Sequence, residues 1–219
     1  MTNPNPQVRT RVDADESVSE WIMLHKREVT WAIVALAIVI GGLWFYRRSQ
    51  SLKAQRAEAA YFQARRAAST GDLPTATSEF RKVATRYIGT LAGTQAAMSL
   101  AQTLYDQKKF KEGVDALKQI EGKSAEEFKA SVHALEAAGY TEVKNYTAAA
   151  DEYKQAATAT KFPAEKAEYQ AAAARAYMAG GKTAEAKAIW TELAKDETSP
   201  ESAEARVRLG ELNAQPMKT

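Results

Sequence analysis

The chain has no cysteine, only two histidines, and no useful run that alternates apolar and polar residues with a period of two. Without cysteine there can be no disulfide, thiolate metal site or cysteine nucleophile. His25 and His133 stand far apart, and no cysteine or acidic pair stands at metal spacing beside either. Metal ligation and histidine-based catalysis are therefore not expected. The missing alternation predicts no strands. A basic surplus is missing too: 30 Lys and Arg against 27 Asp and Glu leave a net charge of +3, too even a balance for a nucleic-acid footprint. Gly180-Gly181-Lys182-Thr183 lacks the preceding spacing and leading strand of a phosphate-binding loop, so it reads as a turn between helices. Asn145-Tyr146-Thr147 matches a glycosylation sequon, but it too falls at a predicted turn. No catalytic set, cofactor or small-molecule substrate is expected, and the chain reads as a non-enzyme.

What is present begins with Val29–Tyr46, VTWAIVALAIVIGGLWFY, 18 residues without a formal charge. As a helix this stretch would span about 27 Å, close to the hydrocarbon thickness of a bilayer. It is apolar all the way round, whereas a core helix of a soluble domain usually keeps a polar stripe. Trp31 near one end, with Trp44, Tyr46, Arg47 and Arg48 at the other, fit membrane-interface anchors. The run ends in Trp-Phe-Tyr-Arg-Arg with no small-residue cleavage site, so an uncleaved anchor in membrane lipid is expected rather than a signal peptide. Ala37 and Gly41 match a single small-xxx-small pair, which reads as lipid-facing. Basic residues flank both ends, and long domains translocate largely regardless of such counts, so charge leaves the orientation open.

Residues 1–28 read as a disordered tail, in which Ser19–Leu24 reads either as an interfacial helix or as the first turn and a half of one longer helix; residues 29–46 read as the transmembrane helix. From residue 47 to 219 the pattern is helix throughout. Strong helix formers follow Arg48 without Pro or Gly, so the span is expected to run straight on into the first helix of this region. Turn signals break the pattern at Gly71–Pro74, Ile88–Thr90, Lys108-Lys109, Glu121–Ser124, Lys144-Asn145, Lys161–Pro163, Gly180–Lys182 and Thr198–Pro200.

The breaks share a period. Ala76, Gly113, Ala149 and Ala186 recur every 36 or 37 residues, and four positions after each comes a large side chain: Phe80, Leu117, Tyr153 and Trp190. Twelve positions before each small residue lies another alanine: Ala64, Ala101, Ala137 and Ala174. Three positions after those stand Ala67, Leu104, Tyr140 and Tyr177. Small residues at matched positions let paired helices approach, and a large one a turn later fills the gap to the next pair. The pattern resembles the tetratricopeptide repeat, although the unit is longer than 34 residues and the leading Trp is absent. The expected fold is all-α: a single N-terminal transmembrane helix, then an α-solenoid of four helix pairs near 51–88, 89–123, 124–160 and 161–197, capped by a helix over 200–213. In that geometry Tyr61, Arg65, Met98, Gln102, Tyr105, Arg175 and Met178 project toward a protein-binding groove, where aromatic, Met and Arg side chains offer area and hydrogen bonds. Tyr61 and Tyr105 are the two most open to an alternative reading as inter-helix packing.

The span's end Gly41–Tyr46, then Ala59-Ala60-Tyr61, Ala96–Gln102, Lys109-Phe110, Gly181–Ala186 and Ile189-Trp190 together resemble the YfgM-like ancillary subunit family of the Sec translocon. That resemblance implies a bacterial inner-membrane protein with its helical domain in the periplasm. It also implies two partners, the SecYEG translocon and a membrane-anchored periplasmic chaperone of the peptidyl-prolyl isomerase type, and no catalytic motif. The alternative expectation is a structural repeat scaffold for division or outer-membrane assembly machinery.

Overall fold

The computed structural model of the protein describes Trp21 and residues 23–214. Of the tail expected over residues 1–28, residues 1–20 lie outside the described residues, as does Ile22 of the candidate interfacial segment, and residues 26–28 open the first α-helix. Among the described residues there are nine α-helices and no strands. They are α1 (Lys26–Ser69), α2 (Leu73–Arg86), α3 (Leu91–Asp106), α4 (Phe110–Lys118), α5 (Lys129–Glu142), α6 (Tyr146–Ala159), α7 (Pro163–Ala179), α8 (Thr183–Leu193) and α9 (Glu201–Asn213). One 3-10 turn, Glu126–Phe128, precedes α5.

The chain divides into two compact units, residues 1–52 and 53–219. In the first, the uncharged stretch of α1 is uncovered: every residue from 30 to 46 is exposed. Trp31, Trp44 and Tyr46 are 66%, 67% and 62% exposed. α1 is long and apolar enough to cross a membrane by length and composition.

In the second unit each helix from α2 onward packs on the one that follows it, and α3 also touches α5 as α7 touches α9. Local chemistry sets the helix starts. The Asp72 carboxylate accepts from the Thr75 amide at 3.1 Å with Pro74 in the first turn, and Thr90 Oγ1 accepts from the Gly93 amide at 3.0 Å. Asn145 Oδ1 accepts from the Ala148 amide at the start of α6.

The stops repeat with the sequence period. Gly71, Lys108, Lys144 and Gly181 all hold positive φ, at 79°, 61°, 59° and 72°. Next to each, a backbone amide reaches back across the helix end. Asp72 donates to the Ala67 carbonyl, Lys109 to Leu104, Asn145 to Tyr140 and Lys182 to Tyr177, at 2.8–3.2 Å. This is the left-handed closure that satisfies the orphan carbonyls of a helix C-terminus. Four hairpins therefore turn by the same device at the same phase of the repeat.

The small residues do what their spacing implies. Ala64, Ala101, Ala137 and Ala174 are fully buried, as are Ala76, Ala149 and Ala186, and Gly113 is buried with them. Phe80, Leu117 and Trp190 are buried one turn later, while Tyr153 is half-buried. Two apolar clusters result. One, from Ala64 to Val132, is centred on Phe80, Leu100, Leu104 and Leu117; the other, from Ala149 to Ala205, on Tyr177 and Trp190. They meet at α5, where Val132 and Leu135 pack on the first and Tyr140 on the second. Between them on that helix lies Glu136.

Candidate functional site

The first helices of the pairs carry the groove candidates, and the fold divides them. Arg65 and Gln102 are exposed. Arg65 lines a shallow depression of about 180 Å³ with Phe62, Arg66 and Ser69. Arg175 is exposed but engaged: Nε and Nη2 form a two-pronged ion pair with Glu204 on α9, at 2.9 and 2.5 Å. Met98 is half-buried against the first cluster. Met178 is half-buried, its sulfur accepting from Trp190 Nε1 at 3.3 Å.

Tyr61 and Tyr105 sit between helices. The Tyr61 hydroxyl lies 3.2 Å from Ser99 Oγ and its ring stands 5.9 Å from Phe80. Tyr105 donates to the Leu135 carbonyl at 3.0 Å, and its ring stands 5.8 Å from Phe110. Burial first, then the charge of Glu136, pushes its phenol well above the ordinary tyrosine range. Both rings tie one helix pair to the next, and both are half-buried.

None of the seven lines a cavity of about 750 Å³ bordered by the end of α4, by α5 and by α6. Its rim carries Lys118, Glu121, Lys129 and Asp151, and His133 and Glu152 reach into it. His133 Nδ1 and Glu152 Oε2 are 2.8 Å apart across the α5–α6 hairpin. That hydrogen bond holds the imidazole above its ordinary pKa.

Glu136, one helical turn beyond His133, is fully buried, and neither of its carboxylate oxygens has a hydrogen-bond partner. Burial, and then the charge of Glu152, pushes its pKa up to about 8. One donor atom from each of His133, Glu136 and Glu152 lies within 4.8 Å of the other two.

The sequence reading missed this cluster, having found no acidic pair at metal spacing beside a histidine. The one local signal was His133-Ala134-Leu135-Glu136, an i,i+3 pair that shares a helix face. Glu152 joins it only through the α5–α6 hairpin.

Stacked helical hairpins at one period, each touching its neighbours in sequence, define an α-solenoid. The sequence pattern of the tetratricopeptide repeat-like domain family matches residues 20–214, and the chain belongs to that family. Domains of this kind generally serve as scaffolds for protein interaction and are typically non-enzymatic.

Among solved structures the chain is similar to a Podosopora anserina putative kinesin light chain with nearly identical TPR-like repeats. The match has 16% identity and a TM-score of 0.54, covering 73% of this chain and 86% of that one. It is also similar to MamA, at 15% identity and a TM-score of 0.51, covering 68% of this chain and 81% of that one. At such identities the likeness shows the fold alone. A search of curated proteins finds no match.

Proposed function

We propose that this protein is a membrane-anchored interaction adaptor of the Sec translocon, linking the SecYEG channel to periplasmic chaperones that receive newly exported chains. It is a single-pass protein of the bacterial inner membrane, with the repeat domain on the periplasmic side, and it catalyses no reaction.

The observation that carries this reading is α1, where 17 of the 18 uncharged residues are exposed, on a chain that continues into an interaction scaffold. Apolar surface of that extent is rarely left to water. The resemblance to the YfgM-like family supplies the compartment and the partners. Tethering supplies the mechanism: partners held in one membrane plane meet at raised effective concentration, so modest contacts suffice. Arg65 and Gln102, exposed on the first helices of their pairs, are the groove side chains freest to meet a polypeptide.

Protease treatment of spheroplasts tests the topology. The repeat domain is expected to be digested from outside; digestion only after lysis would place it in the cytoplasm and end the export role. Capture of the intact protein with its lipid shell tests the partners. Recovery of Sec subunits with an anchored isomerase is expected, whereas recovery of division or outer-membrane assembly factors would replace this reading with that of an envelope scaffold.

A further inference from the structure

A fully buried carboxylate with both oxygens unpaired demands an account, because such groups are otherwise hydrogen-bonded or charge-paired. Taking up a proton does not supply one. A neutral Glu136 sheds the charge, yet in this arrangement its two oxygens still have no hydrogen-bond partner. A cation would satisfy both the charge and the lone pairs at once.

We infer that His133, Glu136 and Glu152 form a binding site for a divalent transition-metal ion, zinc by its ligand preference. Three observations converge. The first is the donor set. One imidazole and two carboxylates suit zinc, whereas calcium and magnesium favour oxygen alone.

The second is geometry. Donors around a tetrahedral zinc at bond lengths of about 2.0–2.1 Å stand about 3.3 Å apart. His133 and Glu152 are already 2.8 Å apart, and all three donors fit within 4.8 Å, so small side-chain rotations close the set.

The third is access and charge. His133 and Glu152 face the 750 Å³ cavity, which admits an ion and leaves a coordination position for water. The charged groups around the site are Glu121 and Lys118 from the α4 end, Lys129 on α5, and Asp151 beside Glu152 on α6. With Glu136 and Glu152 counted, four carboxylates face two lysines, a balance that favours a cation.

The site belongs to α5, where the apolar clusters meet, and to α6. A metal there would cross-link α5 to α6 in the middle of the solenoid.

The test uses the full chain purified in detergent, with zinc alone as the probe. Titration calorimetry should show saturable binding of one ion per chain, and X-ray absorption should show one imidazole among nitrogen and oxygen donors. Zinc should raise the melting temperature, and a chelator should reverse the rise. Glu136→Gln and His133→Ala should each weaken binding by about tenfold or more, while His25→Ala, at the other histidine, should leave it unchanged. If His133→Ala fails to fold, Glu152→Gln provides the same readout. Absence of saturable binding, binding that follows His25, or equal affinity in Glu136→Gln and the parent chain overturns the assignment.

Discussion

Tyr105 occupies the space that a side chain at Gly113 would need. A Cβ at Gly113 would stand 2.3 Å from Tyr105 Cε1, and one at Gly139 would stand 2.3 Å from the same residue's hydroxyl. The ring is thus clasped between α4 and α5, with its hydroxyl on the Leu135 carbonyl. Gly113→Ala and Gly139→Ala should each destabilise the domain by about 1–3 kcal/mol through overpacking. Gly210, in α9, has open space around its Cβ position, so Gly210→Ala should instead stabilise by about 0.5–1 kcal/mol. Urea unfolding of the three variants should give opposite signs; a loss at Gly210 would contradict the packing described.

Lys108 and Lys144 hold the left-handed conformation that Gly71 and Gly181 hold at the equivalent turns. A side chain there costs about 1 kcal/mol relative to glycine. Lys108→Gly and Lys144→Gly should therefore raise stability by up to about 1 kcal/mol each, less whatever glycine's extra freedom in the unfolded chain takes back. Thermal melts at matched pH would reveal it. A drop in melting temperature would mean that the lysine side chains contribute contacts larger than the strain.

Glu136 makes metal-free stability depend on pH. Its pKa in the fold, about 8, lies above the ordinary glutamate range, so the fold prefers the protonated form. That contribution is complete below the unfolded value, at about 4.3, and is lost as pH rises toward 8. His133 acts in the same direction: raised by its bond to Glu152, it favours the fold while protonated and loses that contribution as pH passes its folded value. In chelator, stability should fall between pH 5 and 9 by an amount on the order of a few kcal/mol. Glu136→Gln should flatten most of the decline. A parent chain equally stable at both ends of that range would refute the buried-charge account.

Arg175 and Glu204 tie α7 to α9. The guanidinium holds the Glu204 carboxyl below the ordinary range, so this pair stabilises above the unfolded glutamate pKa and weakens as pH falls through the folded one. Both side chains are partly exposed, at 48% and 29%, so Arg175→Ala should cost only about 0.2–1 kcal/mol. Hydrogen exchange should show that loss concentrated in α9. Loosening that reached the first hairpin would argue against nearest-neighbour stacking.

Much of the architecture was readable along the chain because its causes are local. The turns at Gly71 and Gly181 are written as glycines, and Asp72 and Pro74 announce α2. Alanines at one phase of a 36–37-residue period announce the close approach of paired helices. The site was less legible. Spacing located Tyr61 and Tyr105 on the right helices, but it does not say whether a ring faces a partner or the next hairpin. Gly113 and Gly139 decide that for Tyr105, and Ser99 and Phe80 for Tyr61.

By itself, then, the order of residues determined helix after helix, where each stops, and an apolar rod of bilayer length. These depend on interactions within a few positions or on composition. Tertiary structure alone decided that Glu136 would lie buried and unpaired beside His133 and Glu152. Burial is a property of what surrounds a side chain, and Glu152 arrives from another helix only when the α5–α6 hairpin closes.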